Sequence, residues 1–233
     1  MAILSLAMMV PAAAQTPAVD DILRTARYVA TLQQHDLTGQ LRKGGKKVKV
    51  MLYLRGENIQ FQYLSSQTNQ WAPFHMRLEE DHYDLFEMKG GKTLRFPDAK
   101  LGQAIEGSDL SYEDLAMRFL YWPKGTIEGS EKIKGQDCWK VRLQNPGGAG
   151  RYALVYVWVH KKAGALMQVV GYNGGDPAMP LKRFQVSDIM KVGDAYTLRT
   201  MRVESYDPVP NKVIGITYVE FEKPKPVGPK GLR

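Results

Sequence analysis

The sequence predicts a mainly β chain with two or three helices, gathered in one domain. Three observations carry this. From Leu37 onward, apolar and polar residues alternate with a period of two, and turn residues recur about every ten positions. Two stretches, 17–34 and 111–121, have helical spacing instead. One run, 152–160, is apolar in both phases of the alternation, so both of its faces must be covered. The length of 233 residues, 44% hydrophobic, suits one domain of the size that β-barrels and sandwiches reach.

Residues 1–14 carry no charge and end in Ala12-Ala13-Ala14 before Gln15. A short apolar run ahead of small residues predicts an export signal, and a run this short, broken by Pro11, does not predict a spanning helix. The domain is then expected over 15–222 in the periplasm of a Gram-negative envelope, and no Cys follows the cleavage point to carry a lipid. In 17–34, Ile22, Leu23, Ala26, Val29, Ala30 and Leu32 form one stripe, with Asp20 and Asp21 at the start to favour the helix dipole.

Strand 47–55 sets Lys47, Lys49, Met51 and Tyr53 on one face and Val48, Val50, Leu52 and Leu54 on the other. Gly56-Glu57-Asn58 turns it into 58–64, a hairpin, and 71–78, 83–88 and 93–96 continue the meander. The pattern breaks over 99–125. There 111–121 reads as a helix with Leu115, Phe119 and Leu120 together, and Ser111 with Asp114 resembles a capping box in its Asp form. Strands follow at 130–134, 138–144, 152–160, 165–172, 181–191, 196–206 and 213–222. A helix over one face and the sheet's own curl over the other, as in a half-closed barrel, would cover 152–160. The basic, Pro-rich stretch 223–233 cannot pack a core and reads as a tail.

Composition excludes several function classes. One cysteine, Cys138, makes no internal disulfide and supplies a zinc site poorly. Half of the formal charge of +8 lies in the tail, on Lys223, Lys225, Lys230 and Arg233. The remainder is interspersed with acids and is no phosphate-binding stripe, so nucleic acid is not expected. A modest attraction to anionic lipid headgroups stays open. His35, His75, His82 and His160 lie in no catalytic or ligand motif, and no nucleophile elbow, phosphate loop or His-Glu-x-x-His occurs. The expectation is a non-enzyme without metal or cofactor. The carboxylates Glu106, Asp109, Glu113 and Asp114 read as helix-start acids favoured by the dipole, with Ser108, Asp109 and Ser111 bonding free amides.

A surplus of soft and aromatic residues, 11 Met, 12 Tyr, 7 Phe and 4 Trp, suits a cavity for flexible acyl chains and suits core packing as well. The residues expected to line such a hollow are Met51, Tyr53, Phe61, Trp71, Phe74, Phe86, Leu115, Phe119, Trp122, Trp158 and Met167.

The string Gly107-Ser108-Asp109-Leu110-Ser111-Tyr112-Glu113-Asp114-Leu115 closely resembles a signature of the outer-membrane lipoprotein-sorting proteins, a branch of the LolA-like group. The order of the strands around Cys138–Leu143, Tyr156–Val159 and 213–221 is similar too. The resemblance implies a half-open antiparallel β-barrel with a helical lid over an apolar hollow. It implies a periplasmic carrier that takes lipid or lipoprotein acyl chains toward the outer membrane, with an inner-membrane export complex as a partner and contact with the membrane periphery. The alternative is an envelope sensor related to anti-sigma-factor regulators, which binds a lipoprotein or a protein partner without shuttling it.

Overall fold

The computed structural model describes residues 16–31, 36–147, 150–174, 176–207, 209 and 211–224. The expected export signal, His35 and nearly all of the expected tail lie outside the described residues.

Two β meanders and the segment between them make the fold. Helix α1 (Val19–Thr31) precedes strands β1 (Asp36–Lys43), β2 (Lys46–Arg55), β3 (Asn58–Leu64), β4 (Trp71–Leu78), β5 (Tyr83–Lys89) and β6 (Lys92–Arg95). After the connecting segment come β7 (Thr126–Ile133), β8 (Gln136–Gln144), β9 (Leu154–His160), β10 (Leu166–Tyr172), β11 (Lys182–Val192), β12 (Ala195–Asp207) and β13 (Lys212–Phe221). All thirteen form one antiparallel sheet in the order β6-β5-β4-β3-β2-β1-β13-β12-β11-β10-β9-β8-β7. Every neighbour is also a chain neighbour except β1 and β13, which join the meanders through Leu41 opposite Val219 and Gly39 opposite Phe221.

The sheet stays open at β6 and β7. Edges left free are protected by shortness, charge and bulges. β6 has four residues, two of them Lys92 and Arg95, and β7 has an irregular register between Ile127 and Gly129 beside Glu128, Glu131 and Lys132.

The alternation anticipated for β2 sorts its residues between the two faces. Val48, Val50 and Leu54 are buried in the main core and Leu52 packs on it, while Met51 and Tyr53 point the other way. β9 is buried on both faces, as its composition demands: Val155, Val157 and Val159 join the main core on the concave side, and Leu154, Tyr156 and Trp158 form a second cluster on the convex side with Cys138, Val170 and Tyr172.

Residues 96–125 run between the free edges and fill part of the concave face. They hold a 3-10 turn at Asp98–Lys100, helix α2 (Tyr112–Ala116) and a second 3-10 turn at Arg118–Tyr121. One continuous helix over 111–121 is therefore corrected. Met117, at φ 45°, adopts a left-handed conformation and breaks it. Beyond the break, Phe119 and Leu120 are both buried. α1 lies against this second turn: Ile22, Leu23 and Ala26 are buried, and the Arg27 guanidinium donates to the Leu120 carbonyl at 2.6 Å. Strand β1 had no place in the sequence reading, and β7 begins four residues earlier than expected.

Candidate functional site

The concave face of the sheet and the 96–125 segment leave a two-lobed apolar cavity between them. The larger lobe, 220 Å³, is walled by Leu52, Leu54, Ile59, Phe61, Phe74 and Met76 from β2–β4, Leu110 and Leu115 from the segment, and Leu198, Met201, Val219 and Phe221 from β12–β13. The smaller lobe, 170 Å³, lies toward β10 and β11 and is walled by Phe119, Leu166, Met167, Val169, Phe184 and Val186. Asp114, Met117, Leu198 and Met201 line both lobes. Each lobe alone is smaller than a usual small-molecule site of about 300–1,000 Å³, and the two taken together enter that range. The methionines on the shared wall are the side chains best able to change shape as a ligand passes.

Asp114 is the one charged residue among the described residues of either lining, and its charge is turned away into a buried network. Its Oδ2 accepts from Lys182 Nζ at 2.6 Å and from the Ser111 amide and hydroxyl at 2.7 Å each, and its Oδ1 accepts from the Tyr152 hydroxyl at 2.5 Å. The capping box expected from Ser111 and Asp114 is present in both directions. Burial and the neighbouring Asp114 charge push the Tyr152 phenol well above its ordinary range, so it stays a donor.

Glu113 stands with Asp114 in the first turn of α2, as expected of a helix-start acid, whereas Asp109 departs from that reading, since its carboxylate bonds side chains of the sheet. Asp109 accepts from the Thr217 hydroxyl at 2.8 Å and from Lys43 at 3.0 Å, and the Asp109 amide donates back to Thr217 Oγ1 at 2.8 Å. Gly215 permits this approach, because a Cβ there would stand 2.2 Å from Asp109 Oδ1. Glu113 accepts from the Arg151 amide at 2.8 Å, and burial raises its carboxyl above the usual range. The Tyr112 hydroxyl meets that of Tyr63 at 2.6 Å, while its ring packs on Phe74 and Phe96. Gly107 takes the positive φ of 74° that the turn needs, and Ser108 Oγ receives the Leu110 amide at 3.1 Å. The signature thus rivets the middle of the segment to β1, β11 and β13, and leaves the cavity lining mostly apolar.

The residues expected to line a hollow divide. Phe61, Phe74 and Leu115 wall the larger lobe, and Phe119 and Met167 the smaller. Trp122 packs on the edge of the core and faces a polar cleft with Asp81, His82 and Arg118. Met51 and Trp71 lie along one convex groove, Tyr53 and Phe86 along another with Arg55, His75 and Arg77, and Trp158 sits in the convex cluster. These last five are corrected. Met51 and Tyr53 share the phase of Lys47 and Lys49, so the lysines already assigned that face to solvent. Leu52, Leu54, Leu198, Met201 and Met117, absent from the expected lining, are on the cavity wall. The first two were legible from phase, whereas Leu198 and Met201 come next to β2–β4 only through the β1–β13 closure.

His75 and His82 do not approach as a pair: His75 is opposite Phe86 and bonds Gln60, whereas His82 lies in the β4–β5 turn beside Asp81. Burial lowers the His75 pKa and the Asp81 hydrogen bond raises that of His82. Among the described residues no group of three or more His, Cys, Asp or Glu could hold a metal ion, and no helix is long and apolar enough to cross a membrane.

A family model described as an uncharacterized protein matches residues 74–226, from β4 through β13 and including the 96–125 segment. The chain belongs to that family. No curated protein matches it. Among solved structures, a putative outer membrane lipoprotein-sorting protein domain from Vibrio parahaemolyticus is 14% identical with a TM-score of 0.65, over 92% of this chain and 93% of that one. A DUF1329 family protein from Desulfovibrio piger is 18% identical with a TM-score of 0.65, over 87% and 89%. A LolA superfamily protein from Nitrosomonas europaea is 13% identical with a TM-score of 0.63, over 89% and 93%. The family member described here therefore has the LolA-like fold, a mainly antiparallel open sheet curled around a helical segment.

Proposed function

We propose that the protein binds the acyl chains of a lipid or acylated lipoprotein in the two-lobed cavity and carries them through the periplasm toward the outer membrane. The apolar lining of both lobes, from which the one carboxylate is withdrawn by Lys182 and Tyr152, carries this reading. Such a lining attracts hydrocarbon at about 0.8 kcal/mol per buried methylene and sets no polar requirement on the chain it takes. The lipoprotein-sorting description of the Vibrio parahaemolyticus domain supports the choice of acyl chains over other apolar ligands. An inner-membrane export complex is the proposed donor. Binding and release, without catalysis, are all that this role asks of the protein, in line with a sequence that has no nucleophile and base motif.

Native mass spectrometry of protein purified from a bacterial periplasm, with extraction of whatever is bound, tests the reading. A stoichiometric lipid or acylated peptide is expected. A clean apo mass that does not change after incubation with phospholipid and lipopeptide would overturn it and move the role to a sensor that binds a protein partner.

A further inference from the structure

The β7–β8, β9–β10 and β11–β12 turns lie at one end of the sheet, because alternate connections of an antiparallel meander fall on the same side. The β7–β8 turn reaches across to β11, since Lys134 Nζ donates to the Ser187 carbonyl at 3.3 Å. The β9–β10 loop is tied to β8 by the Lys161 amide, which donates to the Asp137 carbonyl at 2.9 Å. The β11–β12 turn at Gly193-Asp194 completes the rim, with Lys191 opposite Tyr196 and Ile189 opposite Leu198.

This rim combines lysines with apolar side chains left in solvent. Ile189 is 52% and Tyr196 65% exposed, and Ile189 pairs across the ladder with a residue that lines both lobes. Lys132, Lys134, Lys161, Lys162, Lys191 and Arg199 stand on it against Asp137, Asp188 and Asp194. Asp188 is held by Arg199 at 3.2 Å, and Asp137 lies 4.0 Å from Lys132, so lysines remain in excess of the one other acid. Basic groups around a partly exposed isoleucine and tyrosine are the pattern of a surface that lies on an anionic bilayer, with the cations at the headgroups and the apolar tips just below them.

We propose that the 132–134, 161–162 and 189–196 rim docks the protein on an anionic phospholipid surface and brings the Leu198 wall of the cavity toward the membrane. The docking deepens the carrier reading, yet it stands on its own observations: three lysine-bearing turns at one end of the sheet, and two exposed side chains, Ile189 and Tyr196, beside a cavity wall.

Co-sedimentation of the full chain with vesicles of phosphatidylcholine plus phosphatidylglycerol, and with phosphatidylcholine alone, tests it. Binding to the anionic vesicles that weakens with salt is expected. Each lysine contributes about fivefold, so the Lys162→Gln/Lys191→Gln protein should partition about 25-fold less well. Ile189→Ser should weaken binding in the same assay. Lys47→Gln/Lys49→Gln, on the distant β2, should leave it unchanged. Circular dichroism melts and occupancy by an acyl-chain probe in solution report whether each variant is folded and its cavity intact. Absence of binding to anionic vesicles, binding that the rim variants leave intact, or loss of binding in the β2 control would overturn docking at this rim. Self-association abolished by Ile189→Ser would also overturn it and assign the face to a second copy. An acyl probe that fails to bind while vesicles are still bound would overturn the carrier reading alone.

Discussion

Asp114 of α2 and Lys182 of β11 form a buried ion pair at 2.6 Å, with side chains 0% and 7% exposed. They are 68 residues apart in the chain, and the bond fastens the segment that roofs the cavity to the middle of the sheet. Removing one partner of such a pair leaves the other charge buried, which costs about 3–5 kcal/mol. Lys182→Met should therefore lower stability by about that much in urea denaturation, and Asp114→Leu/Lys182→Met should recover part of the loss. A loss below about 1 kcal/mol for the single variant would show that the pair does not fasten the segment.

Glu113 makes stability depend on pH. Burial raises its carboxyl pKa in the folded state, so the folded protein holds that proton more tightly than the unfolded chain. The contribution of this group is most favourable below the usual carboxylate pKa of about 4.3 and is lost as pH rises through the raised folded value. Glu113→Gln keeps an acceptor for the Arg151 amide without the charge. Its melting temperature should equal that of the parent in acid and exceed it at neutral pH. A variant less stable at neutral pH would refute the sign.

Gly215 tests the other fastening. A Cβ at this position collides with the Asp109 carboxylate and should displace it from Thr217, leaving buried polar groups unpaired. Gly215→Ala is expected to cost about 1–3 kcal/mol in thermal or urea unfolding.

The cavity should discriminate ligands by hydrocarbon length. Each added methylene of a linear fatty-acid probe should tighten binding about fourfold until the lobes are full. Leu198→Trp, which projects into both lobes, should weaken a long-chain probe by more than about tenfold, and Met51→Ala and Tyr53→Ala, on the convex face, should leave it unchanged. Calorimetry with the same probe on all three variants checks this. Equal weakening by the convex substitutions would place the site elsewhere.

Where local chemistry decides, the chain could be read residue by residue. Alternation and turn residues located eleven of the thirteen strands described, because a half-buried strand puts every second side chain into the core, and the two-faced apolar run located β9. Ser111 and Asp114 announced their capping box, since that bond closes within one turn. β1 has no clear alternation because Gly39 stands between Leu37 and Leu41 in its inward phase. Its glycine is required by β13, for a Cβ there would meet the Glu220 carbonyl at 2.1 Å. The break at Met117 has no marker such as Gly or Pro, and it is set by the burial of Phe119 and Leu120 against α1 and the core.

The sequence by itself determined a mainly β domain, the phase that turns Val48, Val50, Leu52 and Leu54 inward, and the two-faced burial of β9, because these follow from the periodicity of the backbone. Only the tertiary structure decided which acids would be buried and which apolar residues would face a cavity. Asp109 meets Thr217, Asp114 meets Lys182, and Leu198 joins Leu115 in lining one cavity only after β13 has paired with β1 and the sheet has curled. Contacts made across a closed sheet depend on strand order and register, which no single stretch of chain encodes.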